Sequence, residues 1–111
     1  MKMSHPLLAL IFAGAALTVT ALGADVAANW KEHCAKCHGD TGKGDTKMGR
    51  KLSISDLTDP AAQAKFTDED SVKAMNKGVN AKDGKVLMKP VENLSPEEIK
   101  ALAAYVRTLK K

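Results

Sequence analysis

Cys34-Ala35-Lys36-Cys37-His38 constrains this chain more than any other feature, because Cys-x-x-Cys-His is the local pattern by which haem is attached covalently to protein. Residues three apart on one helical turn share a face, so both thiols can reach the two vinyl groups of one porphyrin. The His38 imidazole follows directly and meets the iron from one side as the proximal ligand. Tether and ligand then come from a single turn. Disulfide, thioredoxin-like and zinc readings each need something the chain lacks. A thioredoxin-like pair belongs in a βαβ context, and no stretch shows sustained alternation of apolar and polar residues. A structural zinc takes four ligands, usually as two separated pairs. Here the only nearby extra candidate is His33, and His33-Cys34 with Cys37-His38 would chelate one tetrahedral ion badly.

The N-terminus has Lys2 in a short polar start, an apolar run from Pro6 to Leu22, and small residues at Gly23 and Ala24. That order reads as a secretory signal peptide over residues 1–24. Ala21-x-Gly23 places the cut after Gly23, and a cut after Ala24 also fits. The competing reading is an uncleaved anchor, since a membrane span needs about 17 to 25 apolar residues and this run is only slightly short. Alanine, glycine and threonine dilute it, and no cysteine stands there for lipid attachment. The expectation is an exported, periplasmic protein with no membrane insertion after cleavage, and residues 25–111 as one domain. A domain this small has an unfavourable ratio of surface to core and often needs a staple or cofactor. Haem would fill that place. Beyond the leader stand 16 Lys and Arg against 13 Asp and Glu. This modest balance, with no basic stripe interleaved with aromatics, speaks against nucleic-acid binding.

A first helix is expected over about Val26–Lys36, with Trp30 four residues before Cys34 and therefore one turn away on the same face, its indole packed inward. From Gly39 to Leu52 the chain carries Gly39, Gly42, Gly44 and Gly49 among lysines, which is loop chemistry. Gly39-Asp40-Thr41-Gly42-Lys43-Gly44 lacks the spacing of a phosphate-binding loop, and no strand precedes it. Asp59-Pro60-Ala61-Ala62-Gln63-Ala64 suggests one short helix with Pro60 first. Thr67-Asp68-Glu69-Asp70 caps another that Gly78 stops. Ser95-Pro96-Glu97-Glu98 is a capping box opening a last helix, in which Ile99, Leu102, Ala103, Val106 and Leu109 follow helical spacing. The predicted fold is all-α, three main helices plus one short helix around the haem.

Three methionines remain as candidates for the sixth iron ligand beyond the leader. Met75 sits beside Val72 at i,i+3 spacing, which is ordinary core packing, and Met48 lies only ten residues past His38. Met88, 50 residues after His38 in chain read as irregular between two helices, is the preferred candidate. Met48, Met75 and an open or water-filled position stay on the table. An uncharged thioether favours ferrous over ferric iron and raises the reduction potential.

Taken in order, these residues resemble the small class I c-type cytochromes, bacterial carriers with one haem. Trp30 stands at the family's aromatic position; Cys34, Cys37, His38 and Gly39 match its haem motif, and Gly42 and Gly44 its glycine loop. Gly49–Leu52 is similar to the segment that follows. Phe66–Gly78 is similar to the central helix, Met88 to the axial methionine, and Leu102 with Tyr105 to the C-terminal face that crosses the first helix. The resemblance implies a cytochrome c-like fold and a soluble, monomeric electron carrier rather than an enzyme. It also implies one haem c on Cys34 and Cys37, His38 proximal and Met88 distal, and iron cycling between Fe(III) and Fe(II). The alternative is a five-coordinate haem protein that binds a gas, nitric oxide or peroxide; no distal His or Arg is evidently placed for it. Three departures stand out. Val26 replaces a frequent glycine. Gly49-Arg50-Lys51-Leu52 replaces Gly-Pro-x-Leu, whose proline carbonyl accepts a hydrogen bond from the proximal imidazole; a carbonyl of this segment can still do so. The usual Met-Pro pair is split as Met88-Lys89-Pro90, so proline restricts Lys89 instead. Lys77, Lys82, Lys85 and Lys89 surround this region against the single acid Asp83, which points to redox partners with acidic docking surfaces.

Overall fold

The computed structural model describes Met3, Gly14 and residues 22–111. The leader expected over 1–24 lies almost wholly outside these. Helix α1 spans Leu22–His33 and α2 Ala35–His38, so the single helix expected over Val26–Lys36 is two, begun earlier and bent at Cys34. The bend sacrifices little hydrogen bonding: Cys34 N–H still donates to Trp30 O at 2.8 Å, and His38 N–H to Cys34 O at 2.9 Å. A further correction concerns the glycine-rich stretch, which is not loop throughout. Thr46 stands extended as N-cap and accepts from Gly49 N–H at 2.8 Å, opening a short α3 at Lys47–Lys51. Such a cap stabilises a helix by about 1 kcal/mol.

Asp59 caps α4 (Pro60–Gln63), and Thr67 with Asp70 forms the capping box of α5 (Asp68–Lys77), which Gly78 ends. The chain then makes an antiparallel ribbon of β1 (Val79–Asn80) and β2 (Val86–Met88), pairing Val79 with Met88 and Asn80 with Val86. Met88 is thus on a strand and not in irregular chain. The ribbon's loop is a three-residue turn in which Gly84 N–H donates to Ala81 O, Ala81 N–H donates to Lys85 O, and Gly84 takes the positive φ. Ser95 and Glu98 form the expected capping box of α6 (Pro96–Thr108). The fold class stays all-α, with three main helices and three short ones among the described residues where one short helix was expected.

Ile99, Leu102, Ala103 and Val106 of α6 form one core with Trp30, Cys34, Ala35, Leu57 and Met75. Leu102 is 1% exposed, and burying such a side chain stabilises the fold by roughly 1.5–3 kcal/mol. Asn29 Nδ2 donates to Glu98 Oε2 at 2.9 Å and ties α1 to the first turn of α6. Val26 packs against the same core. At the other end of α6, buried Gln63 donates from Nε2 to Leu57 O and Val106 O. Arg107 donates to Gln63 O, Gln63 Oε1, Phe66 O and the Asp68 carboxylate, with its guanidinium 4.6 Å from the Phe66 ring centroid. This network fastens residues 57–68 to α6. No helix among the described residues is long and apolar enough to cross a membrane.

Candidate haem-binding site

The bend between α1 and α2 brings Cys34, Cys37 and His38 onto one turn, with Cys34 buried, Cys37 half-buried and neither in a disulfide. Burial first, and the neighbouring Cys37 second, push the Cys34 thiol up to about 11. A thioredoxin-like nucleophile needs the opposite shift. Burial also lowers the pKa of His38, so its imidazole is neutral at pH 7 and keeps a lone pair for a metal. Two free thiols three apart and a neutral, mostly buried imidazole form a donor set that fits a covalently attached haem.

His38 Nδ1 is buried and has no hydrogen-bond partner among the described residues. The carbonyl expected from Gly49–Leu52 therefore does not serve it. The reason lies in α3: Arg50 O accepts from Leu52 and Ser53 N–H, and Gly49 O from Ile54 N–H. A helix end turned upon itself stands where the resemblance has Gly-Pro-x-Leu.

Around the ligand turn, Trp30 is 3% exposed and its ring centroid lies 5.8 Å from that of His38 and 5.5 Å from that of Tyr105. Its Nε1 donates to Gly39 O at 3.0 Å. Thr46 Oγ1 donates to Cys37 O at 2.7 Å, and Gly44 N–H to His38 O at 2.7 Å. A Cβ on Gly49 would strike the carbonyl oxygens of both Cys37 and Gly44. Only glycine lets α3 lie this close to the ligand turn.

Met88 lies half-buried on β2, against the core cluster that contains Cys34. Two features hold its strand to the end of α5. Val91 N–H donates to Met75 O at 2.7 Å, and Gly78 packs so closely that a Cβ there would stand 2.6 Å from Met88 O. Met75 is 5% exposed in the core, its ordinary packing role, and Met48 is half-buried in α3. The turn thus assembles three of the four candidate site residues, and the fourth comes from a separate element. Thr46 and the ribbon escape a reading by periodicity, although Asp83-Gly84 between Val79-Asn80 and Val86-Leu87-Met88 is a hairpin signal.

The family model for cytochrome c matches residues 21–110. Among solved structures, the KustC0563 c-type cytochrome is 35% identical, with a TM-score of 0.66 over 78% of this chain and 99% of that one. A mutant of the same protein, one tyrosine changed to phenylalanine, gives 34% identity and a TM-score of 0.63 over the same shares. No curated protein matches.

Proposed function

The chain belongs to the cytochrome c family and is a small c-type cytochrome carrying covalent haem c; from that premise we propose that it is a soluble, periplasmic, monomeric electron carrier. Cys34 and Cys37 would hold the haem through two thioethers, and His38 and Met88 would ligate its iron. The observation that carries this reading is the single turn that presents two free thiols beside a neutral, mostly buried imidazole. The haem supplies one-electron redox chemistry. The chain's own task is to keep the same residues in place in both oxidation states. The α6 core, the Trp30 indole and the hold of α5 on the Met88 strand serve that end. Met88 contributes a soft, uncharged donor that favours the ferrous state. The leader-like composition of residues 1–24 supports export.

The optical spectrum of the ferric protein tests the ligand set. Methionine ligation gives a weak near-infrared band, whereas the five-coordinate alternative gives high-spin features.

The partner in this reading has an acidic docking surface and meets the β1–β2 ribbon. Lys77, Lys82, Lys85 and Lys89 are exposed there, and the Asp83 carboxylate is engaged with Lys85 N–H. Val79 and Val86, 38% and 50% exposed, add apolar surface to the same ribbon. Such a field raises association rates most at low salt. Replacing Lys82, Lys85 and Lys89 with glutamine should slow bimolecular electron transfer at low ionic strength and flatten its salt dependence; an unchanged salt slope would refute the steering.

A further inference from the structure

Metal-ligating histidines ordinarily donate their second ring nitrogen to a carbonyl, carboxylate or water, and that bond fixes the orientation of the ring. His38 Nδ1 has no such partner among the described residues. What the described residues contribute to its direction therefore comes through the backbone, and the backbone is held on both sides. The consecutive carbonyls of Cys37, His38 and Gly39 each accept a hydrogen bond from outside the turn: Thr46 Oγ1 at 2.7 Å, Gly44 N–H at 2.7 Å and Trp30 Nε1 at 3.0 Å. The first two bonds hold the two peptide planes that flank the His38 Cα, and the third holds the next plane along the chain. The Trp30 ring, tilted 41° to the imidazole at 5.8 Å, closes one side of it.

We propose that Thr46 and Trp30 are positioning residues for the proximal imidazole, fixing through the backbone the ring that a bond to Nδ1 fixes elsewhere. The inference rests on His38 being the proximal ligand. Thr46 is suited to the role because its hydroxyl is used twice, as donor to Cys37 O and as acceptor from Gly49 N–H. One side chain thereby couples the ligand turn to α3. Trp30 couples the same turn to α1 and, through Tyr105, to α6.

The test compares holoprotein variants by the g-values of the ferric state and by the reduction potential, with thermal unfolding measured alongside. Thr46→Val keeps the shape and removes the hydroxyl; it should change both the g-values and the potential, and Thr46→Ser should return both to those of the parent. Trp30→Phe, which keeps an apolar ring but has no N–H, should shift the g-values in its own right. It decides the matter if Thr46→Val yields too little holoprotein to measure. Parental g-values and potential in these variants, with only the unfolding temperature lowered, would overturn the proposal and leave Thr46 a helix cap. Failure of the His38 reading is distinguishable, because the His38→Ala holoprotein would then keep the parental spectrum.

Discussion

Replacing Gly78 with alanine measures how firmly α5 dictates the place of Met88. Gly78 has a φ of +74°, and Gly84, at the tip of the ribbon, has a φ of +86°. A Cβ at positive φ costs about 1–2 kcal/mol at Gly84 and about 1–3 kcal/mol at Gly78, whose ψ of −179° places it in a region essentially confined to glycine. The surroundings differ: a Cβ on Gly84 meets nothing within 4 Å, whereas one on Gly78 stands 2.6 Å from Met88 O and 2.9 Å from Pro90 Cδ. Restoring an ordinary 3.4 Å contact with Met88 O requires a shift of about 0.8 Å. Binding constellations tolerate displacements of about 0.5 Å, so the Met88 strand would move beyond that margin. Overpacking adds about 1–3 kcal/mol to the backbone cost. Gly84→Ala should therefore lose about 1–2 kcal/mol in denaturant unfolding and keep the near-infrared band. Gly78→Ala should lose about 2–6 kcal/mol, weaken the band and bind azide more tightly. Equal stability and equal bands in the two variants would refute the reasoning.

Three more outcomes follow from the site and its supports. A Cys34→Ala, Cys37→Ala double variant should yield no haem that survives acid-acetone extraction, checked by the absorbance of the protein pellet. Met88→Ala should lower the reduction potential and admit carbon monoxide to the ferrous iron; retention of the near-infrared band would implicate Met48 or Met75. Glu98 accepts hydrogen bonds from Ser95 N–H first and Asn29 second, and these lower its pKa. A carboxylate depressed in the folded state contributes stability above its unfolded pKa of about 4.3 and loses it as pH falls through the folded value. Glu98→Gln should accordingly flatten the acid side of the stability profile, read as unfolding midpoints followed downward from about pH 5, through and below the ordinary carboxylate range.

Where a signal is local and chemical, the residues announce the structure. Ser95-Pro96-Glu97-Glu98 and Thr67 with Asp70 opened the helices that their caps imply, Gly78 closed one, and the position of Trp30 before Cys34 foretold its burial. The haem motif was legible because tether and ligand are contiguous. Other features lay beyond periodicity. The ribbon's strands are two and three residues long, too short for alternation to register. Helix α3 hid among glycines because a single hydroxyl, Thr46, both caps it and anchors it to Cys37. Arg107 and Gln63 are 44 residues apart, and nothing in either neighbourhood names the other. That no carbonyl of residues 49–52 meets Nδ1 followed from how α3 uses its own carbonyls, a matter of backbone direction that residue types do not encode.

The bonds around the ligand turn also carry information about the order of assembly. Trp30 to Gly39 and Thr46 to Cys37 each close a span of 9 residues, whereas Asn29 to Glu98 closes 69. Loop-closure entropy grows as the logarithm of length, which sets the long closure about 2 kcal/mol above the short ones. A chain whose C-terminal helix has not yet docked can already gather its thiols and imidazole into one register. Attachment of the porphyrin is then compatible with a fold whose C-terminal helix has yet to close.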